Sequence, residues 1–468
     1  MVDRQGNLWL GTHSKGLEKV TFFFNEFGLT RPKDCNDDTN ANKVRAIFED
    51  SKKRIWTGTR DGKISIYEAG TLKPLGYLSA QGQITRQGAP FIGSAYKIIE
   101  DSKGTIWIAT KGKGVIRLTA EGNSYRMDSF VSNPNDVYSL SHNSVYDICE
   151  DGKGRLWFVT FGGGIDLLEP TANGSCRFIN AHNNLKGYPM ERCLKARRML
   201  RDSQGRLWVG TSNGLLSFDE NFSRPENINF HLYTASNSPE TLSSNDIYDI
   251  LQTKDNRLFF ATFGGGLNEL KQNKGKNAEA SFIKYGIQDG LPSDVLISMA
   301  ADNKNNLWIA SESGLCKFEL KEHNFENYLK QELGSEINFE EGTAISGSDG
   351  TLYFGSNRGI VSFKTDNISK SANVPPIFLA RLKVMNEEIL PSENGILQNS
   401  LNEIESISLS HRQNTINIKF ATLDMSFPEN VRYAYKLEGF DKDWNYVDWQ
   451  RAATYTNLPK GNYVFRVK

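Results

Sequence analysis

Five side chains with large bodies and polar tips recur at near-equal spacing along this chain: Arg45, Tyr96, Tyr146, Arg197 and Tyr248, separated by 51, 50, 51 and 51 residues. In two of the same stretches a Phe-Gly-Gly-Gly run follows, starting at Phe161 and Phe263, and a long polar loop precedes, residues 132–143 with His142 and Asn143, and residues 236–245 ending in Asn245. An exposed aromatic face covers an apolar ligand face while Asn and His satisfy polar groups. If the fold makes equally spaced residues converge, Arg45, Tyr96, Tyr146, Phe161, Arg197, Tyr248, Phe263, His142, Asn143 and Asn245 are expected to form a ligand-binding site of that kind. The column of five continues less informatively, as Ile297 and Gly342.

Catalytic chemistry has weaker support. The six histidines lie singly, and no H-E-x-x-H or similar spacing suggests a metal. Asp50, Asp101, Asp151, Asp202 and Asp302 repeat in register, which marks them as structural. The glycine clusters at 161–164 and 263–266 lack the strand-to-helix context of a phosphate loop and read as hairpin turns. The five cysteines are far apart and odd in number, so neither a disulfide framework nor a zinc site is indicated, and no cofactor is expected. A paired-carboxylate enzyme acting on polysaccharide, or a scaffold that binds other proteins, stays open as an alternative, because carboxylate separation is invisible in sequence.

Composition narrows the partners. The 468 residues carry 55 Lys+Arg against 55 Asp+Glu, with no basic block to neutralise phosphates, so nucleic acid is not an expected partner. With 38% hydrophobic residues the chain has ample material for a core, and no apolar run approaches the roughly 20 residues that cross a bilayer.

The elements that must position these residues come from a repeat. Trp9, Trp56, Trp107, Trp157 and Trp208 are followed by Phe259, Trp308 and Tyr353, eight anchors spaced 45 to 51 residues apart. Before each anchor stands Leu or Ile, and three residues after it Thr or Ser. Asp sits six residues upstream in six of the eight copies and Gly three upstream in five, a pairing that suits a tight turn with a positive backbone angle. A strand precedes each Asp, as at 44–49 and 145–150, and two more follow each anchor. Four short strands per 50 residues is the signature of a β-propeller blade.

The copy at Trp9 lacks its first strand and the copy at Tyr353 its fourth. A ring closes if the last blade borrows an outer strand from the other end of the chain, and residues 21–28 are the expected donor. The expected architecture is all-β: a seven-bladed β-propeller followed by an Ig-like β-sandwich, with eight blades as the alternative. The expected boundaries are 1–20 as a remnant of a preceding blade, 21–368 as the propeller, 369–376 as a linker and 377–468 as the sandwich, shortened at its C-terminus.

The repeat resembles the two-component regulator propeller, whose pattern runs I-x-E-D-x-x-G-x-L-W-x-G-T-x-x-G-L. The segment from Tyr433 and Tyr435 through Trp444 to Tyr455, Gly461 and Tyr463 is similar to the three-tyrosine (Y_Y_Y) domain that follows such propellers. This resemblance implies the sensor region of a hybrid two-component histidine kinase, located in the periplasm, binding an oligosaccharide and signalling to a membrane-anchored kinase region outside this chain. It also implies a homodimer in the full-length context and no enzymatic activity of this chain itself.

Overall fold

The computed structural model describes the chain apart from residues 4–5, 21–26, 33–39, 89–90, 172–174, 272–279, 331, 334–336, 369–375, 424–430 and 448–449. By Cα proximity it divides into two units, residues 25–368 and a second unit formed by 1–24 with 369–468. Strands dominate both, and among the described residues no helix is long and apolar enough to cross a membrane.

Among its described residues the larger unit contains seven antiparallel sheets, each running from an inner strand through an anchor strand to the outer edge. Their inner strands are Val44–Glu49, Ala95–Glu100, Val145–Glu150, Ala196–Arg201, Ile247–Gln252, Leu296–Ala301 and Phe339–Ser346, and each touches the next, the last returning to the first. Anchor strands such as Leu156–Thr160 are buried at every position, because both faces of a blade pack on neighbours. Between consecutive blades lies one apolar core holding an anchor. Trp157 packs with Met199, Leu207 and Phe218 of the next blade, and Tyr353 packs with Val44, Ile47 and Tyr67 of the first.

The repeated polar columns explain how those anchors are buried. Wherever the anchor is Trp, its indole N–H donates to the Asp six residues upstream, at 2.8 Å for Trp56–Asp50 and Trp107–Asp101, 3.0 Å for Trp157–Asp151, 2.9 Å for Trp208–Asp202 and 3.1 Å for Trp308–Asp302. The other carboxylate oxygen accepts two turn amides, as from Gln204 and Arg206 to Asp202. In the two blades where the Asp is replaced, by Thr253 and Gly347, the anchors are Phe259, which has no donor, and Tyr353, whose hydroxyl accepts from the Gly70 amide at 2.9 Å. The residue three before the anchor has positive φ in all eight copies, including Lys53, Asn256 and Asn305. The Thr or Ser three after it donates to a carbonyl across the hairpin turn, as Thr110 does to Gly114 at 2.8 Å.

Side-chain clamps join the blades at a second level. Glu100 accepts from the Ser51 amide, Glu150 from Ser102, Gln252 from Ser203, Asn305 from Lys254 and Glu49 from Ser348, the last uniting the first blade with the seventh. Where Arg201 replaces the acidic residue it pairs with Glu220, whose carboxylate takes the Gly152 amide instead.

Closure uses a strand from the chain's start, whose first described pair is at Gly28, the last residue of the expected donor. Gly28–Thr30 pairs antiparallel with Gly359–Lys364 as the fourth strand of the seventh sheet, with Gly28 opposite Ser362 and Thr30 opposite Ile360. Phe27 stacks edge-on against Phe363 and Tyr328. The aromatic run at 22–24 lies outside the described residues.

In the other unit, Leu8–Thr12 and Gly16–Val20 form a hairpin that keeps the blade's bonds, Trp9 to Asp3 at 2.9 Å and Thr12 to the Gly16 carbonyl at 2.9 Å. A four-stranded sheet (Glu387–Glu388, Ile377–Val384, Ile416–Thr422, Ala452–Tyr455) and a three-stranded sheet (Asn445–Val447, Tyr433–Glu438, Val464–Val467) enclose a core of Leu382, Phe420, Tyr433, Leu437 and Tyr455. Asp441 organises this sandwich by accepting from the Leu437 amide and the Tyr455 hydroxyl, each at 2.7 Å.

Removing an Asp that serves a Trp orphans a buried indole N–H and two turn amides, whereas removing the Thr of the Phe259 blade leaves no aromatic donor behind. Asp202→Ala is therefore expected to cost about 2–3 kcal/mol of propeller stability and Thr253→Ala no more than about 1 kcal/mol. Denaturant unfolding of the two variants checks this, and equal costs would show that the indole bond carries no special weight.

Candidate functional site

A local irregularity puts the equally spaced residues where they can converge. In the first six blades the pairing of inner and anchor strands slips after its first residue, for example from Val44 opposite Thr59 to Ala46 opposite Gly58. The skipped residues are Arg45, Tyr96, Tyr146, Arg197, Tyr248 and Ile297. Such a bulge re-aims one side chain out of the alternating pattern.

The first five of these residues and the two hairpin phenylalanines form one unbroken arc. The Arg45 guanidinium lies 4.3 Å from the Tyr96 ring centroid, Tyr96 is 4.7 Å from Tyr146, and Tyr146 stacks on Phe161 at 4.9 Å with 13° between planes. Arg197 follows, 5.0 Å from Phe161 and 4.6 Å from Tyr248, and Tyr248 meets Phe263 at 5.2 Å. Phe263 is 48% exposed, so the arc ends in an open aromatic face. Lys111 and Lys195 extend the cationic side, each with Nζ 5.8 Å from a ring of the arc, Tyr96 and Phe161 respectively.

Three carboxylates answer the two arginines. Glu340 pairs with Arg45, Glu341 accepts from Arg197 Nη1 at 2.8 Å, and Asp246 accepts from Arg197 Nε at 3.0 Å. Burial alone would lower the Arg197 pKa, but Glu341, Asp246 and Tyr248 more than reverse it and hold it above its ordinary value. Burial, with Tyr96 and Glu341 nearby, pushes the Tyr146 phenol up to about 12, so it stays a neutral donor near neutrality.

A second, charged layer occupies the next residue of four inner strands, Lys97, Asp147, Arg198 and Asp249. Arg198 lies between Asp249, at 3.1 Å, and Asp147, at 3.5 Å, and Lys97 reaches Asp147 at 3.4 Å. Asp147 and Asp249 each also accept a backbone amide of another blade, from Met199 at 2.9 Å and Met299 at 2.8 Å. These carboxylates are committed to structure. Their signal was present in the sequence as Lys97, Asp147, Arg198 and Asp249 at the repeat spacing, one residue beyond the column that was singled out.

Seven of the ten expected residues thus form the arc, and the remaining three play supporting parts. His142 packs on Gly162, beside Phe161, and its Nδ1 accepts from the Ser144 amide at 3.1 Å. The side-chain oxygens of Asn143 and Asn245 are taken by the Ser132 and Ala235 amides, at 2.8 and 2.7 Å, and their carbonyls accept the Gly114 and Gly214 amides. Both asparagines hold loops in place and so are pins of the mouth. The expectation for the seventh blade needs the larger correction: in place of Gly342, Glu340 and Glu341 reach the arginines, because this inner strand bulges more widely than the others.

Comparison with known proteins agrees with this architecture. Residues 39–61, 139–162, 194–213 and 241–264 match the two component regulator propeller model, and residues 424–468 match the Y_Y_Y domain. The chain is 24% identical over 377 residues to a histidine kinase of Formosa agariphila, covering 80% of this chain but only 23% of that relative. It therefore spans about a quarter of the curated relative's length. Among solved structures, a β-propeller domain from Myceliophteria thermophila is matched over all of its length and 71% of this chain, at 13% identity and a TM-score of 0.50, a likeness of fold. The extracellular domain of a hybrid two-component system from B. thetaiotaomicron is matched over 99% of this chain and 74% of its own, at 20% identity and a TM-score of 0.32. The chain carries two component regulator propeller repeats and a Y_Y_Y domain.

One carboxylate near the mouth makes its stability depend on pH. Asp166 holds the lead-in loop by accepting from the Ser141 amide at 2.9 Å, the Ser141 hydroxyl at 2.6 Å and the Asn180 amide at 2.9 Å. Burial raises its pKa from 3.8 to about 7, against the lowering effect of those donors. The folded state thus binds this proton more tightly than the unfolded chain, so the group's contribution is full below about pH 4 and declines as pH rises through about 7. The fifth blade uses neutral Asn268 for the same task, holding the Ser243 amide at 2.9 Å. Asp166→Asn is expected to raise the melting temperature relative to the parent at about pH 8 and to lose that advantage at about pH 5. Thermal unfolding across this range checks it; an offset independent of pH would contradict it.

Proposed function

We propose that this chain is the ligand-sensing region of a hybrid two-component regulator, that an oligosaccharide binds in the mouth of the propeller, and that the sandwich passes the event to a kinase region of the full-length protein. The observation that carries the binding reading is the arc from Arg45 to Phe263, in which every ring or guanidinium contacts the next. The open face of Phe263 suits a sugar ring, and the arginines, tyrosines and His142 along the arc supply hydrogen bonds to hydroxyls. The similarity to a histidine kinase supports the relay, as do the propeller and Y_Y_Y matches.

In this reading the propeller, residues 21–368, senses in the periplasm, residues 369–376 connect, and the sandwich, residues 377–468, signals as one half of a homodimer. A ligand biases such a device only by binding two arrangements with different affinity.

Phe161→Ala, Phe263→Ala and Tyr146→Ala are each expected to weaken binding of candidate oligosaccharides about tenfold, or ~1.4 kcal/mol, without unfolding the propeller. Titration calorimetry on the folded variants measures this, and undiminished affinity in all three would move the site elsewhere. For the relay, replacing the sandwich by an unrelated linker in the full-length protein should abolish ligand-dependent signalling while leaving affinity intact. Signalling that survives the exchange would refute that role.

A further inference from the structure

The seventh blade breaks the pattern of the other six in a way that bears on the ligand's charge. Its inner strand pairs Phe339 with Ser356 and next Ala344 with Phe354, so four residues, 340–343, face a single residue of the anchor strand. The other inner strands skip one residue at this level. The wider bulge needs Gly342, whose φ is +56°, and a side chain there would collide with the Arg198 guanidinium.

What the bulge delivers is a carboxylate between two guanidiniums. Glu341 accepts from Arg197 Nη1 at 2.8 Å and lies 3.9 Å from Arg45 Nη2, so it links side chains of the first and fourth blades. Both guanidiniums are braced on aromatic faces, Arg45 on Tyr96 and Arg197 between Phe161 and Tyr248. Arg45 Nε is buried and, among the described residues, has no hydrogen-bond partner. Planar guanidiniums held in this way are built to receive a planar oxyanion. In the free protein that oxyanion is the chain's own, on a loop-like excursion of one strand.

Resting on the reading of the mouth as a glycan site, we infer that the ligand is an acidic oligosaccharide, and that a uronate carboxylate takes the place of Glu341 at Arg197 and Arg45. The open end of the arc at Phe263 receives a sugar face, and the bulge of the seventh blade yields its position to the ligand. A neutral glycan would meet the same arc and offer the two arginines only hydroxyls in place of a carboxylate.

The test uses calorimetry on the whole chain with tetrasaccharides of galacturonate, glucuronate and mannuronate, the methyl esters of the same sugars, and neutral tetrasaccharides. At least one uronate is expected to bind, with its methyl ester at least about tenfold weaker. Glu341→Gln keeps the side chain's size and removes the competing charge. It is expected to tighten uronate binding about threefold to tenfold and to leave the ester unchanged, whereas Arg197→Gln weakens the uronate. Thermal unfolding confirms that both variants are folded. If neutral sugars or esters bind as well as uronates, or if Glu341→Gln fails to tighten the uronate, the exchange is wrong while the mouth remains a glycan site. If no saccharide of either kind binds, the glycan reading of the mouth falls as well.

Discussion

A buried tryptophan needs somewhere to put its one polar hydrogen, and the propeller is arranged around that need. Each indole N–H in the ring is answered by an Asp whose second oxygen closes the turn between inner and anchor strands. One residue therefore satisfies the largest side chain of the inter-blade core and fixes the hairpin that presents it. The dependence is visible in the two blades without the Asp, where the anchors are Phe259 and Tyr353 and no indole has to be satisfied. A buried donor left without a partner costs more than the bond itself contributes, so acceptor and donor are retained or lost together.

With the blades fixed in this way, function can be placed on their irregularities. The regular part of each inner strand is occupied by packing and by the ion pairs of Lys97, Asp147, Arg198 and Asp249. The bulged residues of the first five blades are released from the inter-blade cores, and Arg45 and Arg197 among them carry ion pairs of their own. Because the bulge repeats with the blade, its side chains meet their neighbours around the ring and produce a continuous surface from residues about 50 positions apart. The same regularity that makes the scaffold stable makes the site composite.

Much of this was legible in the amino-acid sequence because the repeat imposes a register. Columns of Trp, Asp, Gly and Thr placed the turns and strands, and the column from Arg45 to Tyr248 identified the arc before its geometry was known. What escaped has a common physical cause: properties that arise between columns leave no mark within one. The Asp column read as a turn device, and its bond to the indole depends on how the strand folds back. Glu340 and Glu341 were missed because counting from the anchor assumes an ordinary bulge, whereas the seventh blade has a wider one. Asn143 and Asn245 looked like ligand groups because a polar loop beside aromatic residues suggests recognition, yet their oxygens serve backbone amides.

The strand Gly28–Thr30 leads the chain into the propeller, and its partner Gly359–Lys364 is the last strand of the ring to be made, with Thr30 and Ile360 lying 330 positions apart. In folding time this order matters. Each of the first six sheets can be assembled from neighbouring segments as the chain lengthens, whereas the seventh must wait for its fourth strand to be captured across the whole ring. The entropy of closing so large a loop grows only with the logarithm of its length, so the native ring loses little equilibrium stability by this design. The cost falls on rate: a contact of such high sequence separation forms late, and until it forms the growing molecule carries an open sheet edge that another copy can occupy.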